Sequence, residues 1–91
     1  MKYIMIEVEK PVRRRIPIIF PNDMVHAIVA EAILSKAKTM NWQNAKVVSA
    51  GDCSVMDVEC SGHSSTLKLS SDSFKDERII NNIDYLHGIM D

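Results

Sequence analysis

Residues 3–20 read YIMIEVEKPVRRRIPIIF, two alternating runs around a short charged break. In the first run Ile4, Ile6 and Val8 point one way, and Tyr3, Met5, Glu7 and Glu9 the other. Side chains alternate along a strand, so this pattern predicts a half-buried strand. In the second run Ile16, Ile18 and Phe20 oppose Arg15, Pro17 and Ile19. Proline has no N–H for a ladder, so Pro17 places this strand at a sheet edge or a bulge. Lys10-Pro11-Val12-Arg13 is the right length for a hairpin loop.

Beyond Pro21 the period changes. Asn22 suits an N-cap and Asp23 the positive end of a helix. Met24, Val25, Ile28, Val29, Ala32 and Ile33 follow at helical spacing, and Ala27, Ala30, Leu34 and Ala37 widen the apolar arc. Lys36, Lys38 and Asn41 suit the far end. The expected helix has about 18 residues and is about 27 Å long. An arc this wide exceeds what one sheet face covers, so a second copy is expected on it as a homodimer.

The rest of the chain predicts a three-stranded meander and a second helix. The strands are 46–50, 54–61 and 66–69, with turns at Gly51-Asp52 and Gly62-His63-Ser64. Met56, Val58 and Cys60 are expected inward, and Asp57 and Glu59 outward. Ser73 and Asp76 resemble a capping box. Ile79, Ile80, Ile83 and Leu86 make one stripe of a helix from about Phe74 to His87, with Gly88 as its stop. The order is ββαβββα. The expected fold is a single α+β domain over 1–91, an antiparallel sheet of four or five strands with two helices mainly on one face.

Charge is uneven although the net value is −1. Residues 1–20 hold five Lys/Arg against Glu7 and Glu9, giving +3; residues 70–91 hold two against five acids, giving −3. The two ends can attract within one fold or between copies, but the total gives no long-range pull on nucleic acid or membrane. Glu7 and Glu9 interrupt the first apolar run, so a secretory leader is not expected there, and no stretch has the length to cross a bilayer. Cys53 and Cys60 are expected as reduced thiols in a cytoplasm.

Reactive groups are sparse. Cys53, Cys60 and His63, with His26 or His87, have the wrong spacing for structural zinc. Cys53 lies beside Asp52, whose charge disfavours a thiolate, so a nucleophile paired with His63 is not expected. Asp57 and Glu59 share the solvent face of a strand, and Gly51, Gly62 and Gly88 are too far apart for a phosphate loop. No enzyme, metal or cofactor is expected.

The arginines allow two functions. Arg13 and Arg15 share one strand face and Arg14 the other, with Glu7 and Glu9 available as cross-strand partners. Charge beside Pro17 also keeps another strand from adding to the edge. Alternatively the basic hairpin Arg13–Arg15 grips phosphates, making the chain a small nucleic-acid-binding regulator. Tyr3 is the one aromatic expected nearby, which is a poor platform for bases. Trp42 lies in a polar loop, as an interface anchor or as a cover on the open end of the core.

The segments IPIIFPNDMVHAIVAEAI, VVSAG, CSGHSSTLKLSS and DERIINNI resemble a family of small phage- and prophage-encoded proteins without assigned function. PVRRR and LSKAKTMNWQN depart from that pattern. The resemblance implies a phage accessory protein in the cytoplasm of a bacterial host and carries over no site residues. The expected function is non-enzymatic protein–protein interaction with a bacterial or phage partner. Arg13, Arg14, Arg15 and Trp42 are its candidate interaction residues.

Overall fold

The computed structural model describes residues 1–54 and 56–90, and side chains through residue 82. The fold is α+β, and its element order broadly follows the expected one. The elements are β1 (Lys2–Val8), β2 (Arg14–Phe20), α1 (His26–Ser35), β3 (Lys46–Ser54), β4 (Glu59–Ser61), β5 (His63–Ser64), β6 (Leu69–Ser70) and α2 (Ser73–Met90). An antiparallel sheet runs β2-β1-β3-β4, and β5 and β6 form a separate two-stranded sheet. Among these elements no helix is long and apolar enough to cross a membrane.

Pro17 sits opposite Met5 on the edge strand β2, where a missing N–H costs no ladder bond. Its neighbour β1 is not half-buried as its alternation suggested. Tyr3, Ile4, Met5 and Ile6 have no exposed surface at all. The unbroken apolar run across these four positions is the pattern of a strand covered on both sides.

The two helices therefore lie on opposite faces, not mainly on one. Ile4, Ile6, Val8, Phe20 and Ala50 pack with Val29 and Ala30 of α1. Tyr3, Met5, Cys53 and Cys60 pack with Ile80 of α2. Alternation along β1 sends its odd and even residues to these two separate cores.

Helix α1 has 10 residues rather than the expected 18 or so. Asn22 does not cap it; the chain first turns, with the Met24 N–H on the Pro21 carbonyl, and the cap position is Val25. This start lets the buried His26 ring bond the Gly51 carbonyl at 2.8 Å and meet Phe20 edge-on. After Ser35 the chain runs in tight turns to Asn41, whose φ of 58° is left-handed, as suits a stop.

The meander also differs. Gly51-Asp52 is not a turn: β3 passes straight through it. A β-carbon on Gly51 would lie 2.3 Å from the Ser61 carbonyl oxygen, so glycine permits close approach of β4 here. The second strand is only Glu59–Ser61, and Met56 is 89% exposed instead of inward. The third strand is Leu69–Ser70, paired to His63–Ser64, while residues 65–68 make the turn. Gly62, with φ of 78°, turns the chain between β4 and β5.

Helix α2 continues past Gly88 to Met90. Ile80 is buried and Ile79 half-buried, as the stripe predicts. The side chains of Ile83, Leu86 and His87 lie outside the described residues. The capping role of Asp76 is larger than a box with Ser73. Asp76 is fully buried, and its Oδ2 accepts from the Tyr3 hydroxyl, from Ser49 Oγ at 2.7 Å and from the Asp72 N–H at 3.1 Å. Ser71 Oγ lies 2.6 Å from the same Tyr3 oxygen. One carboxylate thus joins the start of α2 to β1 and β3.

Burial first, then the Asp76 carboxylate beside it, raises the Tyr3 hydroxyl well above the ordinary tyrosine value. Its folded value is raised, so this stabilisation is complete below about pH 10 and is lost as pH rises beyond that. Urea unfolding should show Tyr3→Phe less stable by about 1–2 kcal/mol at neutral pH, with a shallower alkaline decline than wild type. Asp76→Ala should cost about 3 kcal/mol or more, because it leaves buried donors without an acceptor.

Candidate functional site

The arginine hairpin and α2 meet beside Glu7. In the β1–β2 register Glu7 faces Arg15 and Val8 faces Arg14. Arg15 therefore lies on the α2 side of the sheet and Arg14 on the α1 side. Arg15 Nε donates to Glu7 Oε2 at 3.2 Å, and Arg13 Nη2 to Glu7 Oε1 at 3.4 Å. These are the ion pairs among the described residues, so the opposite charges of the two chain ends are not joined there by a salt bridge.

Helix α2 brings Lys75, Arg78, Ile79 and Asn82 to the same place. Their spacing of three, four and seven residues puts them on one helix face. With Glu7 and Arg13–Arg15 they line an open cleft of about 470 Å³. The lining sets Arg13, Arg14, Arg15, Lys75 and Arg78 against the single carboxylate of Glu7. That leaves an excess of about four positive charges if each is counted as ionised. Partial burial pushes the Glu7 carboxyl up. The hydrogen bond from Arg15 and the charges of Arg13, Arg15 and Lys46 outweigh it and hold the carboxyl below its usual range.

Arg14 and Trp42 come together on the opposite face. The Arg14 guanidinium lies 6.0 Å from the Trp42 ring centre, and Trp42 packs half-buried against the α1-side core. The Trp42 N–H bonds the Ala37 carbonyl at 2.8 Å, folding the loop back over the sheet. So all three arginines line the cleft, and Arg14 also reaches back to Trp42, which lies on the α1 side.

The sequence reading missed the α2 half of the cleft. Lys75, Arg78 and Asn82 carried the signal in their helical spacing, beside the apolar stripe that drew attention. It also missed Phe74, which is 72% exposed with Arg78 5.7 Å from its ring centre. Tyr3, the aromatic expected near the arginines, is buried beneath α2 with its hydroxyl engaged.

Other candidate chemistry disperses. His26 is held by Gly51, His63 lies in the small second sheet, and Cys53 faces Cys60 across β3–β4. Among the described residues no three metal-ligating side chains converge. Asp57 and Glu59 are exposed, Asp57 in a turn and Glu59 at the start of β4.

No family model, curated protein or solved structure matches this chain.

Because Glu7 is held ionised in the fold, its pairing stabilises above the ordinary carboxylate range and fades as pH falls through the folded value. Wild type should melt higher than Glu7→Gln near about pH 6, with the gap closing towards about pH 2. A gap that does not change over that range would remove Glu7 as the keystone of the hairpin charges.

Proposed function

We propose that this chain is a small non-enzymatic adaptor of the phage or prophage accessory kind, working in a bacterial cytoplasm. In this proposal it seats an acidic segment of a partner protein in the cleft between β2 and α2. The supporting observation is that cations from two distant parts of the chain line one cleft with only one carboxylate among them. Arginine forks suit carboxylates, and an exposed Phe74 beside Arg78 supplies the kind of aromatic anchor that interfaces favour. Edge strand β2 adds main-chain groups beside the cleft, with Pro17 limiting how far another strand can pair along it.

A nucleic-acid-binding regulator is the second reading. Phe74 beside Arg78 favours it, since a base can stack where an aromatic and a guanidinium adjoin. Trp42 offers less, because Arg14 already covers part of it.

The proposal includes a homodimer. Met24, Val25 and Ile28 are all exposed at the start of α1, Ile28 by 61%, and a second copy would cover them.

Fluorescence anisotropy with a labelled Glu/Asp-rich peptide tests the cleft. Binding should be seen at low salt and fade as salt screens it. Lys75→Glu with Arg78→Glu should weaken it at least about tenfold, while Lys68→Glu on the small sheet should leave it unchanged. No binding at low salt would reject the adaptor proposal. A single-stranded oligonucleotide that displaces the peptide and binds tighter would replace it with the second reading. For the dimer, sedimentation velocity should show concentration-dependent association that Ile28→Glu abolishes; a wild-type monomer throughout would reject it.

A further inference from the structure

Cys53 and Cys60 are direct partners across the antiparallel β3–β4 pair. Both are free and buried, with 5% and 3% of their surface exposed. Their backbone groups show which kind of pair this is. The Cys53 N–H donates to the Met1 carbonyl at 2.7 Å, and the Cys53 carbonyl accepts from the Met1 nitrogen at 3.0 Å. Cys53 therefore spends its main-chain bonds on the β1 side. The Cys60 N–H points the other way as well, to Glu77 Oε2 of α2 at 3.0 Å. The two cysteines thus form a non-hydrogen-bonded pair, the class in which facing side chains come closest, with Cα atoms about 4.5 Å apart. Disulfides span Cα separations of about 4.4–6.8 Å, so this site lies at the short end of the permitted range. Both side chains also belong to the α2-side core, hence to the same sheet face.

We propose that Cys53 and Cys60 are a built oxidation site, which closes to an intramolecular disulfide when a small-molecule disulfide such as oxidised glutathione is in excess. The Cys53 thiolate attacks one sulfur of that molecule, forming a mixed disulfide and releasing one thiol. The Cys60 thiolate then attacks the Cys53 sulfur, forming the internal bond and releasing the second thiol. The two cysteine protons leave on the two released thiols. The cysteines lose two electrons in all, and the small disulfide gains them.

The order of attack follows from the surroundings. Burial raises both thiols; Cys60, with Cys53, Asp76 and Glu77 adding to it, is pushed up to about 12, while Cys53 has the Asp52 carboxylate against it and the N-terminal ammonium in its favour. Access comes from the edge position of β4. It is only three residues long and, among the described residues, no strand pairs with its outer side, where Glu77 alone holds the Cys60 N–H, so local opening exposes both sulfurs without unfolding the sheet. Closing the disulfide would lock β4, and the turn before it that carries the exposed Met56, onto β3.

The test uses the intact wild-type chain in native buffer, across a series of reduced-to-oxidised glutathione ratios, read by intact mass and non-reducing peptide mapping. The expected product is a monomeric chain lacking two hydrogens, with the peptides of Cys53 and Cys60 linked, restored by a dithiol. Cys60→Ser should instead accumulate a stable glutathione adduct on Cys53, because the resolving thiol is gone. The proposal is overturned if the native chain keeps both thiols while the urea-unfolded chain oxidises. A persistent wild-type adduct, or a disulfide between chains, overturns it equally. Proton exchange gives an independent readout: amides of residues 56–61 should exchange about tenfold more slowly after oxidation.

Discussion

The carboxylate of Asp76 holds this fold together. It is buried where α2 begins, and its Oδ2 gathers donors from β1, from β3 and from the helix's own start. Buried polar donors are costly to leave without an acceptor, so the arrangement admits few alternatives. Given that anchor, the first turns of α2 must lie on the Tyr3–Met5 face. Lys75 and Arg78 follow it to the hairpin side, and Glu77 reaches Cys60. The position of the basic cleft is thus a consequence of one buried acid outside its lining.

The α2 charges and the hairpin charges are not attracted into ion pairs with each other, since both are positive. They are held close against mutual repulsion by the packing of Ile80 and by the Asp76 bonds. Proteins tolerate such a cluster at modest cost when the groups stay solvated, and they recover that cost on binding an anion. Glu7 moderates the repulsion on the hairpin side only. The geometry of the cleft is therefore fixed by the core, while its occupancy depends on charge.

Much of this was legible in the residues. The hairpin bounds, the edge role of Pro17 and the opposed faces of Arg14 and Arg15 follow from alternation and from proline's missing donor. Trp42's return to the core was one of two options a polar loop allowed. The misjudgements share a cause: each needed a long-range contact. Tyr3 and Met5 looked like a solvent face until a helix some seventy residues away covered them. Gly51 looked like a turn because glycine's usual use is conformational, whereas here it makes room for another strand. Asp76 looked like a local cap, since nothing nearby in sequence reveals that Tyr3 and Ser49 converge on it. The α2 half of the cleft was visible as a helical spacing of cations, but its meeting with the arginines depended on which face the helix chose.

The double coverage of β1 sets a problem of timing during synthesis. Its outward-turning tyrosine and methionine must wait for α2, translated roughly seventy residues later. At about 5–20 residues per second that delay lasts several seconds. For that interval the nascent chain carries a greasy ribbon with only one side sheltered, a natural target for ribosome-associated chaperones. Slowing elongation over the last third of the message would lengthen its vulnerability to clumping without altering a single amino acid.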